Sequence, residues 1–427
     1  MIETIKNAWK IPELRNKILF TILIVAIFRI GAVIPVPFVN LEMLQSGVAA
    51  SGNEFFSYLS VLTGGGLEYG SIFAMSVTPY INASIIIQLL TVAIPYLERL
   101  SKDGQEGQKK IAQITRYTTV IIGLVQGFSF FMYLKAQKLI SVTGGAGVFA
   151  GFVIVLCLTA GSALVMWLGE QIDAKGIGNG ISILLFAGII SRAPQAFQTL
   201  MLWWNLSGGP LYVILIVLAF LLMVGFVVWM TNAERKIPVQ YAKRVVGRKM
   251  YGGQNSHIPI KVNMSGVMPI IFASSILMLP TMILSFMTNT NNWFYKALSV
   301  FSVRGPFYAI LYLVLIIAFA YFYVTIQYNT TEMANNLRKN SGAIPGIRPG
   351  QPTTDFLQGI ISRITLMGAL ALSVVAVLPI VLSFFNSAFS SISIGGTSVL
   401  IVVGVALEIV QNLESQMMMR HYKSFLD

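Results

Sequence analysis

The stretch that decides the fold runs from Asn53 to Leu90. It begins with a short, semi-polar piece, Glu54-Phe55-Phe56-Ser57-Tyr58-Leu59-Ser60-Val61-Leu62, and breaks at Gly64-Gly65-Gly66. It restarts as an apolar segment from Ile72 to Ile94 that carries Thr78-Pro79-Tyr80-Ile81-Asn82-Ala83-Ser84 in its first half. Three adjacent glycines give the backbone free access to positive φ, which opposes a continuous helix there. The first piece, about nine residues, is too short to span a bilayer core, which takes roughly 20. It can dip in and return only where protein or water covers its backbone. Two readings fit: a plug-like half-helix folded back beside a full span, or an ordinary external loop with one helical turn.

The rest of the composition places this stretch in a membrane. Of 427 residues, 56% are hydrophobic and 11% charged, whereas soluble domains run about 25% charged. Several apolar runs approach the spanning length, so the chain reads as a polytopic membrane protein. The first run, Ile18 to Val36, is long for a signal-peptide core and no small-x-small cleavage site follows it, so it reads as a first transmembrane helix. The net charge of +13 fits basic cytoplasmic loops and anionic partners better than nucleic acid. Cys157 is the only cysteine, and His257 and His421 are the only histidines. An internal disulfide and a His/Cys metal cluster are therefore excluded, and no cofactor is expected.

Residues Met1 to Lys17 are basic, with Ile2, Ile5 and Trp9 at helical spacing, and predict a short interfacial helix ended by Pro12. Ten spans follow, at about 18–38, 71–94, 113–134, 148–169, 179–194, 210–232, 264–287, 307–328, 360–385 and 397–413. This arrangement places 23 of the 29 basic residues on one side and 5 on the other, with Arg29 inside the first span. That split supports ten spans with both ends in the cytoplasm. Two cytoplasmic stretches are long. Asn232 to Val262 is basic, and Asn329 to Asp355 contains Ala343-Ile344-Pro345-Gly346-Ile347-Arg348-Pro349-Gly350. Loops this long usually carry function, although contact with anionic lipid heads would also account for their basic residues. Asn329-Thr330-Thr331 matches a glycosylation sequon but falls on the cytoplasmic side.

An internal repeat divides the chain. Val77-Thr78-Pro79-Tyr80-Ile81-Asn82-Ala83-Ser84 and Val267-Met268-Pro269-Ile270-Ile271-Phe272-Ala273-Ser274 both fit V-x-P-x-I-x-A-S. One copy lies in the second span and the other in the seventh, and the charge pattern runs these spans in opposite directions. The ten spans thus form two halves of five with inverted topology, residues 1–196 and 197–427. A proline inside a membrane helix loosens it locally, and Ala and Ser let another helix approach. Such a pair suits a seam that opens; plain helix packing would use the same residues.

The chemistry of catalysis and ion coupling is missing. The sixteen acids lie nearly all in loops or at span ends, where a coupled transporter keeps ionisable groups near the midplane. Glu408 lies near the cytoplasmic end of the tenth span, and Arg29 is the one charge deep in an apolar run. Such a charge costs roughly 2.5–3.5 kcal/mol on insertion scales unless it pairs, and a structural role suits it better than coupling. No phosphate loop, nucleophile triad or metal motif is present. A passive conduit or scaffold fits better than an enzyme.

Several stretches carry a resemblance. They are Phe28-Arg29-Ile30-Gly31, Pro79-Tyr80-Ile81-Asn82-Ala83-Ser84-Ile85-Ile86-Ile87-Gln88-Leu89-Leu90 and Trp167-Leu168-Gly169-Glu170-Gln171-Ile172. Further on come Gly176-Ile177-Gly178-Asn179-Gly180-Ile181-Ser182, Lys261-Val262-Asn263, Pro345-Gly346-Ile347-Arg348-Pro349-Gly350 and Gly395-Gly396-Thr397-Ser398. In this order and spacing the whole chain resembles the SecY family, the large subunits of the bacterial protein-conducting channel. The family is related to the alpha subunit of the eukaryotic Sec translocon.

The resemblance implies an all-α polytopic membrane protein of ten transmembrane helices. Two inverted, pseudo-symmetric halves of five would surround an hourglass pore with a short re-entrant plug helix. Unfolded secretory chains would cross it, and hydrophobic segments would leave sideways into lipid. The family's isoleucine-rich waist falls on Val77, Ile81, Ile181, Leu185, Ile271 and Ile401. Val77 and Leu185 depart from isoleucine but stay apolar, so a seal by dewetting is expected to survive. The plug falls near 53–66, with Asn53, Phe55, Phe56, Tyr58, Leu59, Leu62, Gly64, Gly65 and Gly66. The lateral gate takes in Pro79, Asn82, Ser84, Pro269 and Ser274. Arg348, with Lys243, Arg244, Arg248 and Lys249, matches the contact for the motor ATPase SecA or the ribosome. SecE and SecG are the implied partner subunits, signal peptides and unfolded preproteins the cargo, and the bacterial cell membrane the location. Two other classes remain beside this reading: an inverted-repeat secondary transporter, and a non-conducting scaffold that docks ribosomes.

Overall fold

The structure, a computed structural model, describes residues 2–41, 44, 60, 63–136, 139–140, 145–205, 209–241, 244–246, 249–251, 255–286, 293, 295, 298, 306–385 and 396–423. The chain forms two compact units. One comprises Met1–Ile214, Ser275–Gly305 and Ile401–Asp427, the other Leu215–Ser274 and Pro306–Leu400.

In the first unit, α1 (Ile2–Lys10) is followed directly by α2 (Pro12–Gly31). Pro12 ends one helix and opens the next, since a first-turn proline lacks only an N–H that would be unpaired anyway. The sequence predicts a first span out to residue 38, but α2 stops at Gly31. Pro35 ends it locally, having no N–H for the Gly31 carbonyl and disfavouring helix at Ile34, and tertiary packing reinforces the end. The Phe73 ring lies where a side chain on Gly31 would begin and stacks on Phe28 at 5.9 Å. Beyond the helix, Ile34 to Val36 pairs with the chain after the glycine turn: Ile72 N–H donates to Ile34 O and Val36 N–H to Gly70 O.

The chain then enters α3 (Thr78–Ala93) and α4 (Pro95–Lys102), which meet at a bend of 101°. Ile94 is extended there, as a residue before proline prefers. Two long helices follow, α5 (Gly104–Ala136) and α6 (Gly145–Lys175). Gly123 and Gly127 of α5 bring it close to Thr159 and Val155 of α6, the small-residue packing expected between membrane helices. The expected fifth span divides into α7 (Gly180–Ile190) and α8 (Ala193–Trp204), and α9 (Gly209–Asn232) follows. An apolar cluster built on Val36, Leu67, Met75, Leu134, Ile154 and Leu158 anchors the glycine turn and its neighbours to α5 and α6.

In the second unit the long stretch after α9 is not an open loop. β1 (Glu234–Tyr241) pairs antiparallel with β4 (Asn255–Lys261), Glu234 opposite Lys261 through Gln240 opposite Asn255. β2 (Arg244–Val246) and β3 (Lys249–Tyr251) form a separate ribbon. After α10 (Met268–Phe286), α11 (Pro306–Gln327) and α12 (Thr330–Lys339), the short β5 (Gly342–Ala343) adds to the free edge of β1. α13 (Gln351–Phe385) follows in this unit, and α14 (Gly396–Lys423), which belongs to the first unit from Ile401 onward, is the last described helix. Both expected loops therefore carry regular structure among the described residues. Ile237 and Val239 alternate inward along β1 and join Ile260, Ile344, Leu357 and Ile361 in one core. Burying that apolar set offsets the ordering of two polar stretches.

Each of the ten stretches expected to span carries a helix. Among the described residues seven helices are long and apolar enough to cross a membrane, or eight if α3 and α4 count as one. In α2 the charges Glu13, Arg15, Lys17 and Arg29 stand against that criterion, so helix length and composition count fewer spans than the charge pattern does.

Candidate functional site

The region of interest begins at the glycine turn. Asn53, Phe55, Phe56, Tyr58, Leu59 and Leu62 lie outside the described residues, whereas Gly64, Gly65 and Gly66 lie in turns. Gly64 and Gly65 take φ of +63° and +90°, so the break expected from three glycines is met. Arg29 Nη1 donates to the Gly64 carbonyl at 3.2 Å, which gives the charge deep in the apolar run of α2 a backbone partner. Gly64 also lies against Gly188 O and Ser191 Oγ, at the end of α7.

A second arginine holds the same turn, and the sequence reading missed it. Arg192 Nη2 lies 2.5 Å from Glu68 Oε1 and donates to Ser60 Oγ at 2.6 Å. Ser60 Oγ in turn donates to Glu68 Oε1 at 2.7 Å. The signal available was weak: one acid just after the glycines, and one arginine in a Ser-Arg-Ala-Pro break between helices.

The two copies of the repeat share a local structure that corrects the reading of their prolines. Pro79 and Pro269 do not interrupt helices; each lies in the first turn, where its missing N–H costs nothing. Ile81 N–H donates to Val77 O at 3.0 Å, and Ile271 N–H to Val267 O at 3.2 Å. Ahead of each valine stands a left-handed residue, Ser76 at φ +47° and Gly266 at φ +61°. Ala83 and Ala273 are both fully buried. Among the polar positions, Asn82 is half-buried, Ser84 Oγ accepts from Gln88 Nε2 at 3.3 Å, and Ser274 Oγ donates to Ile271 O at 2.9 Å.

Of the six apolar positions singled out, Val77 and Ile81 stand one turn apart at the start of α3, and Ile181 and Leu185 one turn apart on α7. Asn179 caps α7 by accepting from Ser182 N–H at 3.1 Å, and Asp173 Oδ1 accepts from Gly180 N–H at 2.7 Å. These bonds fix where α7 begins and so where Ile181 and Leu185 fall. Val77, Ile81, Leu185 and Ile401 are buried, while Ile181 and Ile271 are half-buried. Gly169 of α6 leaves the space that the Ile181 side chain fills. Ile271 lies in the second unit, in the first turns of α10.

The second unit presents the candidate partner contact. Asn329 Oδ1 accepts from Thr331 and Glu332 N–H and caps α12, and β5 returns the chain to the sheet. Ile344 is buried in the core, and the chain then turns through Gly346 and Gly350 at φ +82° and +106°. Thr353 Oγ1 donates to the Arg348 carbonyl at 2.9 Å, so the backbone of the turn is held while the Arg348 side chain stays exposed. Arg235, Lys236, Arg338, Lys339 and Arg363 are exposed on the same unit. An exposed guanidinium on a held turn suits carboxylates or phosphates. Arg244 and Lys249 fall in β2 and β3, while Lys243 and Arg248 lie outside the described residues.

The geometry is joined by likeness to known proteins. The SecY family model matches residues 71–410. The protein translocase subunit SecY of Streptomyces coelicolor is 43% identical over 436 residues, and that of Bacillus subtilis 44% identical over 435, each match covering all of both chains. The fold also matches a SecY structure solved to show that its plug domain stabilises the closed channel, with a TM-score of 0.65 at 17% identity over 94% of this chain and 92% of that one. Sec61 in a canine ribosome–channel complex matches with a TM-score of 0.60 at 16% identity, again over 94% and 92%.

Proposed function

The chain belongs to the SecY family, and from that premise we propose that it is the central, passive protein-conducting subunit of a Sec translocon. It is a multi-pass membrane protein and a channel subunit, not itself an enzyme. Unfolded secretory polypeptides cross through it, and hydrophobic segments leave it sideways into the bilayer. The observation that carries this reading is the match to translocase subunits over the full length of the chain.

Finer roles follow from the family and from the local structure. Val77, Ile81, Ile181, Leu185, Ile271 and Ile401 form the waist, where branched apolar side chains exclude ions by dewetting and offer a passing chain no polar partner. Residues 53–66 are the plug, with Gly64 to Gly66 as its return turn. The repeat copies, with Pro79, Asn82, Ser84, Pro269 and Ser274, form the lateral gate. The halves 1–196 and 197–427 are the two sides of the channel.

Arg348 and the basic residues of the second unit dock the partner that drives transport, a ribosome or the SecA ATPase. The ordered sheet and the capped α12 support this, because they present the cations on a rigid base. SecE and SecG complete the complex, the bacterial cell membrane is its place, and both termini face the cytoplasm.

The test is a photoreactive residue at Ile271, with a secretory chain stalled partway through membranes containing the complex and its motor. Adducts along the translocating chain are expected. Their absence, beside a control adduct from a cytoplasmic loop, would favour a docking scaffold over a channel.

A further inference from the structure

Glu68 and Arg192 serve no waist, gate or docking role, yet both are removed in large part from solvent, with side chains 31% and 20% exposed. They come from separate stretches of the first unit and meet over Ser60, which is 1% exposed. The three side chains close a triangle of 2.5, 2.6 and 2.7 Å contacts. Ser60 and Glu68 flank the glycine turn, and Arg192 stands at the break between α7 and α8. On its other side the turn is held by Arg29 through the Gly64 carbonyl and is seated against Gly188 and Ser191. Two helix ends thus grip one turn, and the Glu68 carboxylate pairs with the Arg192 guanidinium.

We propose that the Glu68–Arg192–Ser60 triangle is a latch that positions the return turn of the plug in the resting channel and so sets how readily the channel opens. The proposal rests on the reading of residues 53–66 as a plug. A charge-assisted bond in a poorly hydrated site is strong and directional. It holds only while both partners are charged and in place. Arg192 Nε is buried with no hydrogen-bond partner among the described residues, so loss of the Glu68 charge weakens the pairing of this guanidinium and favours any arrangement in which it reaches water. Glu68 and Arg192 are therefore positioning residues: they act on the seal through the turn and touch no translocating chain.

The test uses the full-length protein with its partner subunits in proteoliposomes, read as resting ion conductance. Glu68→Gln and Arg192→Gln are each expected to raise it about tenfold, the effect of one lost charge-assisted bond on a two-state equilibrium. Glu68→Asp is expected to stay close to wild type. The exchange Glu68→Arg with Arg192→Glu is expected to return conductance most of the way to wild type, because it restores the ion pair in reverse. Deletion of residues 53–59, which leaves the triangle intact, is expected to leak by itself, and Glu68→Gln added to it is expected to change nothing further. A leak in the deletion with none in Glu68→Gln overturns the latch and leaves the plug reading standing. No leak in either overturns both. An exchanged pair that leaks as much as the single variants, at equal insertion, also overturns the latch.

Discussion

Ser76 and Gly266 hold the same left-handed backbone, φ +47° and +61°, each one residue ahead of the valine that opens a copy of the repeat. Glycine adopts this conformation without penalty, whereas an L-residue pays roughly 1–2 kcal/mol. Ser76 pays it while buried, and its hydroxyl has no hydrogen-bond partner among the described residues. Ser76→Gly is therefore expected to stabilise the protein by about 1 kcal/mol, and Gly266→Ala to destabilise it by a similar amount. Thermal unfolding midpoints of the two variants in one detergent measure this. A lower midpoint for Ser76→Gly would show that the hydroxyl has a partner the geometry does not reveal.

Gly368 of α13 carries the Val262 carbonyl where its side chain would start, 2.4 Å from an added Cβ. The obstacle is backbone, which cannot swing aside as a side chain tip can. Gly368→Ala is expected to cost about 1–3 kcal/mol and to loosen the join between α13 and the end of β4. Faster proteolysis within 232–262 would accompany the loss of stability. Unchanged stability would mean that the Lys261-Val262-Asn263 segment moves freely away from α13.

Arg348 is exposed, and its carbonyl accepts from Thr353 Oγ1. Arg348→Glu is expected to abolish motor-driven transport while changing stability by less than about 0.5 kcal/mol, because the charge reversal meets no packed neighbour. Transport assays beside a thermal midpoint separate the two effects. Normal transport would remove Arg348 from the docking surface.

Ser84 and Ser274 close the two copies of the repeat, and we place both in the lateral gate. Cysteines at both positions, joined by a short crosslinker, are expected to block export of signal-bearing chains, and reduction of a cleavable crosslinker to restore it. Export that continues through the crosslinked protein would place the exit elsewhere.

Alone, the sequence was enough to settle the class of this protein. Low charge, apolar runs near spanning length and the one-sided distribution of Lys and Arg require a polytopic membrane protein, because the cost of burying charge in lipid acts residue by residue and needs no tertiary information. The repeat and the ordered motifs were equally legible, and so was the break at Gly64 and Gly65, since positive φ is a property of glycine itself.

Tertiary structure decided what depends on a distant neighbour. Phe73 lays its ring against Gly31 at the end of α2, a contact between two separate stretches of the chain. The left-handed Ser76 and Gly266 start new helices just before Pro79 and Pro269, so prolines that would loosen a helix interior instead open one. Two polar stretches became a sheet because Ile237, Val239 and Ile344 found a common core. Arg192 and Ser60, 132 positions apart, are joined by a hydrogen bond that no local pattern announces. A charge pair is specified by where two backbones bring it, and only the packed fold supplies that position.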